Sequence, residues 1–283
     1  MTFSIVGFDP VTQEIGVAVQ SKFPCVGMMV PWAKAGVGAV ATQAWGNPKY
    51  GPDGLDLLEK GHSVAEVVQL LTAADEGAED RQFGVIDSSG RAASFTGERC
   101  MDWAGGIVGE NFACQGNILV SGATVEAMAE AFVSTEGDLA EKLTMALVAG
   151  QAAGGDSRGQ QAAALYIAKE NAGYLGNNDR YIDIRVDEHP DPITELRRIL
   201  KLFRILFYKT KPEDIVPLVG EAKDYVINEL AKRGYFKGDV EGDWTEEAQA
   251  ALVAFFATEN FEERLTEDGT IDQEVIDYLK SLE

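Results

Sequence analysis

The chain has 283 residues and carries 24 Lys and Arg against 46 Asp and Glu, a formal net charge of −22. That balance excludes a protein that grips nucleic acid through its phosphates or docks electrostatically on anionic lipid, since both need clustered cations. No apolar run approaches the ~20 residues that span a bilayer, and the length leaves room for one large or two unequal domains.

The opening residues, Met1-Thr2-Phe3-Ser4-Ile5-Val6, lack a basic segment, and Asp9 arrives before an apolar signal core could finish. A cytoplasmic location is therefore expected. Phe3–Phe8 reads as a strand, Asp9-Pro10 as a turn, and Ile15–Ser21 as the second strand of a hairpin. Val37–Ala44 reads as another strand. From Asp53 to Leu71 the pattern is helical in two pieces, broken at Gly61. Ser63 caps the second piece and Glu66 completes an S-x-x-E capping box. Gln82–Asp87 and Arg91–Thr96 form a second hairpin around Ser88-Ser89-Gly90, and Phe112–Gln115 a further short strand. Thr124–Phe132 and Leu139–Ala149 are helical, Gln160–Ala168 is an apolar strand, and Arg180–Val186 alternates as an edge or half-buried strand. Hairpin-joined strands imply antiparallel sheets. Two such sheets with helices outside give a four-layer α/β/β/α sandwich, and an α+β fold with a single sheet is the alternative.

Composition changes near residue 200. Residues 201–283 hold 29 of the charged residues but only 5 of the 30 glycines. A helix starts at Asp191-Pro192 and runs to about Tyr208, and Lys209–Pro212 reads as a linker. Ile215–Arg233, Thr245–Thr258 and Gln273–Leu282 then read as helices of a small all-α unit, with two exposed aromatics in the turn Gly234-Tyr235-Phe236-Lys237-Gly238. The division expected is a domain of residues 1–208 and a second of 212–283.

The chemistry is constrained by what is scarce. A Ser/His/Asp or Cys/His triad would have to use His62 or His189; His62 falls between two helix pieces and His189 in an acidic turn. Two histidines without CxxC or HExxH give no zinc site, and no metal or cofactor is expected. Cys25, Cys100 and Cys114 are odd in number and widely spaced, and read as buried thiols. Gly154–Gly159 lacks the GK[ST] ending of a phosphate loop. Gly36–Ala41 falls inside a strand, not between a strand and a helix. Asp239–Asp243 lacks the Gly and Glu spacing of a calcium loop and reads as a solvated acidic turn.

The N-terminus itself remains. Methionine followed by a small residue is the usual substrate for methionine removal, which would leave Thr2 with a free α-amine at the head of a strand. A hydroxyl needs an adjacent base to act as nucleophile. An α-amine, with a reference pKa near 7.7–8.0, supplies one on the same residue.

Several strings occur together: Met1–Val6, Gly16-Val17-Ala18-Val19, Val37–Trp45 with Asn47-Pro48-Lys49-Tyr50-Gly51, Gln115-Gly116-Asn117, Gly154–Gln160, and Arg185-Val186-Asp187 through His189-Pro190-Asp191-Pro192. Over residues 1 to about 200 the chain resembles a bacterial family of unknown function with an Ntn-hydrolase-like (N-terminal nucleophile) fold. The resemblance implies the α/β/β/α sandwich, and by analogy an amidohydrolase. Residues 234–239, with Thr245, Ala248 and Phe255-Phe256, are similar to peptidoglycan-binding helical domains. Those usually carry Gln where this chain has Phe256.

Under the N-terminal-nucleophile reading, the catalytic candidates are Thr2, Asn117 as oxyanion donor, and Asp156, which would orient the α-amine or hold a charged substrate end together with Arg158. Ser4 shares the face of Thr2 on a strand. Ser21, Lys22, Gln43 and Trp45 complete the substrate-binding candidates, and a cation at Lys22 would favour the neutral amine. The expected partner is a small amide or a cell-wall fragment. A non-catalytic binding protein on the same scaffold, and an assembly protein whose tail mediates homo-oligomers, are the competing readings.

Overall fold

Asp9 turns the first hairpin. Its Oδ1 accepts the Val11 N–H at 2.9 Å, and its carbonyl accepts the Gln13 N–H at 2.8 Å, with Gln13 in the left-handed region at φ 60°. This turn pairs β1 (Thr2–Asp9) with β2 (Glu14–Ser21) antiparallel, from Phe3 opposite Gln20 to Asp9 opposite Glu14. The structure, a computed structural model, describes residues 2–282. The expected removal of Met1 thus concerns a residue outside the described ones.

The chain continues through β3 (Pro31–Lys34), β4 (Gly38–Gln43), α1 (Tyr50–Glu59), α2 (Val64–Ala73), β5 (Gln82–Asp87) and β6 (Ala92–Thr96). It then forms β7 (Gly105–Gly109), β8 (Phe112–Asn117), α3 (Ala123–Ser134), α4 (Leu139–Ala152), β9 (Ala162–Ala168), β10 (Arg180–Val186) and α5 (Pro192–Phe207). Six strands form one antiparallel sheet in the order β10-β9-β2-β1-β8-β7, and four form another in the order β3-β4-β5-β6. The capping box of α2 is present, with Ser63 and Glu66 each accepting from the other's backbone N–H. Two strands of these sheets escaped the sequence reading. β3 is only four residues long and β7 is the glycine-rich Gly-Gly-Ile-Val-Gly, so neither offers a period-two run long enough to see.

Period-two alternation assigns the layers. On β1, Val6 and Phe8 join Ile15, Val17 and Val19 of β2, with Ala39 and Ala41 of β4, in an apolar layer between the sheets. The opposite face of β1 meets the helices. A Cβ on Gly7 would lie 3.0 Å from Leu143 of α4 and from Phe132 of α3. On β4, Val40 turns the other way and packs with Leu55, Leu58, Val67 and Leu71 of α1 and α2. The result is a mixed α+β sandwich of four layers, helices, sheet, sheet and helices. Each large aliphatic side chain it buries contributes roughly 1.5–3 kcal/mol.

The chain divides into two compact units, Met1–Arg197 and Arg198–Glu283. The second is helical: α6 (Gly220–Lys232), α7 (Glu246–Thr258) and α8 (Gln273–Lys280) enclose a core with Leu230, Phe255, Phe256 and Ile276. It also carries a small antiparallel pair, β11 (Ile215–Pro217) with β12 (Thr270–Asp272). The sequence expectation of one helix over Ile215–Arg233 is corrected here. Pro217 has no N–H to give a helix interior and pushes Val216 to extended backbone, so the helix begins only at Gly220. The turn aromatics are also corrected, since Phe236 is buried in the core and Tyr235 packs edge-on against Phe255. Among the described residues no helix is long and apolar enough to cross a membrane.

Candidate active site

β1 lies at the centre of its sheet, between β2 and β8, so its first residue is flanked on both sides. Thr2 pairs with Asn117 across the β8 ladder. On the β2 side its Oγ1 lies 3.0 Å from Ser21 Oγ. These three side chains form the floor of a cavity of about 530 Å³.

The inter-sheet layer changes character toward this end. Where Val6 and Phe8 are apolar, the same face of β1 carries Thr2 and Ser4, and the strands around it carry buried amides. Ser4 Oγ donates to Gln43 Oε1 at 2.6 Å and accepts from Gln115 Nε2 at 2.6 Å. Gln43 Nε2 donates to the Thr2 carbonyl at 3.2 Å and to Gln82 Oε1 at 2.8 Å. Asn117 Nδ2 donates to the same Gln82 oxygen at 2.9 Å, and Gln82 Nε2 donates to the Gly116 carbonyl at 2.7 Å. Buried amides are tolerated because they are paired. Gly84 makes room for one of them, since a Cβ there would sit 2.2 Å from Gln115 Oε1. The network fixes the Thr2 carbonyl through Gln43 and its cross-strand neighbour Asn117 through Gln82.

Three segments wall the cavity. One follows β2 and brings Phe23 and Met29; another, Arg99–Met101, brings a thiol and an arginine. The third follows β4, where Ala44 at φ 52° turns the chain into Trp45. Ile118, directly after Asn117, takes φ 49°, a position that a β-branched residue rarely adopts. Ala44 after β4 and Ile118 after β8 thus place two left-handed residues, and their backbone strain, at the cavity. The Trp45 segment is anchored from behind. Arg81 donates to the Trp45 carbonyl through Nη1 and to Asp75 Oδ2 through Nε at 3.0 Å, and Asn47 Nδ2 reaches that oxygen at 3.2 Å. The Arg81 hydrogen bond holds the Asp75 carboxyl well below the usual carboxylate range. Burial, reinforced by the nearby Asp75, drives the Tyr50 phenol well above its ordinary value.

The glycine-rich loop after α4 closes the site across the two strands beside β1. Asp156, its side chain wholly buried, accepts the Lys22 N–H at 3.0 Å and the Arg158 N–H at 2.9 Å. It also pairs with Arg158 Nη2 at 3.2 Å. The Gln161 N–H donates to the Ser21 carbonyl, and the Ser157 N–H to that of Ile118.

Of the residues singled out in the sequence, Thr2, Ser21, Gln43, Trp45, Asn117 and Arg158 line the cavity. Ser4 lies one layer beneath them in the amide network, and Asp156 sits behind Arg158. Lys22 turns its Nζ to the Gln160 carbonyl at 3.0 Å, and its part in the site is the backbone N–H on Asp156. Sequence reasoning missed Gln82 and Gln115. Gln82 opens β5 and Gln115 stands near the end of β8 before Gly116-Asn117, so neither position carries a local signal of the inter-sheet network. It also missed Cys100, which lines the wall with its thiol pushed up by burial. Cys114 is the buried thiol expected, pushed up to about 12 by burial. His189 caps its own turn, its Nδ1 accepting the Asp191 N–H at 3.0 Å. Among the described residues, no group of three or more His, Cys, Asp or Glu could hold a metal ion.

Comparisons with known proteins place this geometry. Residues 2–196 match the model of a "Family of unknown function (DUF1028)". Residues 206–279 match that of a "Putative peptidoglycan binding domain". A crystal structure of a Silicibacter pomeroyi protein assigned to the same family of unknown function is similar, with a TM-score of 0.66 and 28% identity over 79% of this chain and 89% of that one. No curated protein matches the chain.

Proposed function

The chain belongs to the family of unknown function DUF1028, a membership that assigns no reaction, and we propose from the site itself that it is an N-terminal-nucleophile amidohydrolase of small amides. The observation that carries the reading is the place of Thr2: a hydroxyl on the first residue of the central strand, on the floor of a cavity of about 530 Å³, with Ser21 Oγ 3.0 Å away. After loss of Met1 the Thr2 amine takes the proton of Oγ1 as that oxygen adds to the amide carbonyl carbon. The proton passes to the departing nitrogen as the C–N bond breaks, leaving an ester on Thr2. Water then adds to the ester, giving up a proton to the same amine, and the acid departs as the hydroxyl is restored.

The negative oxygen formed in each addition needs fixed donors. Asn117 is positioned for that role because Gln82 holds its amide by one Nδ2 hydrogen, which sets the direction of the other. Ser21 steadies Thr2 Oγ1, and the Gln43 bond to the Thr2 carbonyl fixes the backbone from which the amine projects. Asp156 orients Arg158 at the cavity wall.

The test begins with the intact mass of untagged protein. Loss of Met1, followed by turnover of an amide panel that Thr2→Ala abolishes and Thr2→Ser retains in part, is the expected result. Retention of Met1 in folded, inactive protein would overturn it. A second reading rests on the match of residues 206–279: the tail captures soluble cell-wall fragments. Muropeptide binding to the full chain with no hydrolysis by protein lacking Met1 would favour that reading.

A further inference from the structure

The cavity over Thr2 is polar at its floor and apolar above it, and that division describes a ligand. The floor carries the Thr2 and Ser21 hydroxyls and the Asn117 amide, and the walls bring Phe23, Met29, Trp45 and Met101. Phe23, Trp45 and Met101 remain 49%, 77% and 57% exposed although they line a concave site. Large apolar side chains left open around a cavity mark a surface that an apolar ligand covers. Two rings and two thioethers together suit an aryl group, since rings pack on rings and sulfur packs at ring edges. Trp45 is not loose, because Arg81 holds its carbonyl.

Charge is present at this cavity, and it is paired. Among the described residues, the charged side chains that line it are Asp80, Arg99 and Arg158. Arg99 donates to Asp80 through two bonds, Nε to Oδ1 at 2.9 Å and Nη2 to Oδ2 at 2.8 Å. Arg158 pairs at 3.2 Å with Asp156, whose side chain is wholly buried. A charged substrate would have to break one of these pairs or enter without a counter-charge, and either costs free energy where the ligand displaces water. An uncharged substrate disturbs neither pair.

We propose that the substrate of this site is an uncharged amide carrying an apolar aryl group, with the amide at the Thr2 floor and the ring against Phe23, Trp45 and Met101. The inference rests on the amidohydrolase reading and names the substrate class of that same site. The amide is the part that must reach Thr2, so it takes the polar floor and leaves the ring to the apolar walls. The cavity of about 530 Å³ lies within the roughly 300–1,000 Å³ of small-molecule sites, which leaves room for a ring beyond the amide.

The test uses the full-length Thr2→Ala variant, so that binding is read without turnover. The probes are 4-phenylbutyramide, its analogues bearing a para-carboxylate or a para-aminomethyl group, and acetamide, measured by titration calorimetry. 4-Phenylbutyramide is expected to bind at least about ten-fold tighter than any of the others. Trp45→Ala should cut its affinity several-fold and leave that of acetamide unchanged. Asp80→Asn, which takes the paired carboxylate from Arg99, should raise the affinity of the carboxylate probe several-fold and leave that of 4-phenylbutyramide unchanged. Equal affinity for the four probes, tighter binding of either charged probe, or a 4-phenylbutyramide affinity that Trp45→Ala leaves intact would overturn the assignment. So would a carboxylate probe whose affinity is unmoved in folded Asp80→Asn protein. Protein that has lost Met1 and shows the preference for the uncharged aryl probe yet hydrolyses none of the four would overturn the amidohydrolase reading and leave the ligand class standing. Hydrolysis of acetamide and the charged probes as readily as 4-phenylbutyramide would do the reverse.

Discussion

Both units of the chain bury polar side chains, and they do so to different ends. In the N-terminal unit the buried groups beneath the cavity are neutral amides and hydroxyls, and they form an open chain from Gln115 through Ser4, Gln43 and Gln82 to Asn117 at the cavity floor. In the C-terminal unit the buried polar groups are charges, and the largest of them is Arg264, 2% exposed. Its guanidinium is spent on Asp272 at 2.8 Å, on Glu274 at 2.9 Å and on the carbonyls of Arg204 and Ile205. A buried amide has donors and acceptors to pass on, so a network of them can end at a cavity with an atom to offer. A buried charge is tolerated only when it is compensated on all sides, and so it closes on itself. Buried neutral polarity that leads to a cavity marks chemistry, and buried charge that leads nowhere marks shape.

The largest effect should come from breaking the closed cluster. Arg264→Met leaves Asp272, itself 0% exposed, without its partner, a loss of roughly 3–5 kcal/mol for breaking one side of a buried pair. Hydrogen exchange on the full chain should show that loss in amides of α6, α7 and α8, with amide turnover unchanged. A turnover loss in protein whose tail amides stay protected would break the comparison.

Next in size is the open network. Gln82→Leu strands Asn117 Nδ2 and removes one of the partners of Gln43 Nε2 and the side-chain bond on the Gly116 carbonyl, and should cost about 1–3 kcal/mol for a group left unpaired. Chemical denaturation should report the lost stability, and turnover should fall because Asn117 loses its fixed direction. Ile15→Val at the apolar end of the same layer should cost about 0.5–1.5 kcal/mol and leave turnover alone. Equal effects of the two on turnover would show that the network is only packing.

The legibility of the two regions in the sequence follows the same physics. The sandwich could be read from hairpin-joined strands, and the Ser63 cap from an S-x-x-E spacing, because both are local patterns. Thr2, Asn117 and Arg158 were legible as candidates from residue type and position. Gln82 and Gln115 were not, because their partners lie on other strands, and the bonds from Asn117 to Gln82 and from Gln43 to the Gln115 carbonyl exist only because two sheets face each other. Phe23 and Met101 were hidden for a similar reason, since an exposed apolar residue in a loop looks the same whether or not a cavity opens beside it. The tail strand β11 was hidden by three apolar-rich residues that read as the start of a helix, although Pro217 carried the contrary signal.

The smallest effect sharpens the comparison at the rim of the site, where a charge does serve the cavity. Asp75 is held below the usual carboxylate range first by its bond from Arg81, with Gly77, Asn47 and Tyr50 adding to it. A carboxyl depressed in the folded state contributes stability that is present above its unfolded pKa of about 3.9 and is lost as pH falls through the lower folded value. The attachment of the Trp45 segment should therefore hold at neutral pH and weaken below about pH 4. Trp45 emission, taken as the difference between the parent and Trp45→Phe, should shift in that window before the global unfolding signal. Asp75→Asn should remove the acid step and loosen Trp45 at all pH values by about 1 kcal/mol or less, the usual worth of a partly exposed pair. If the Trp45 signal instead moves only with global unfolding, the Asp75–Arg81 pair holds the fold as a whole, like Arg264, and the rim charge belongs with the closed cluster and not with the site.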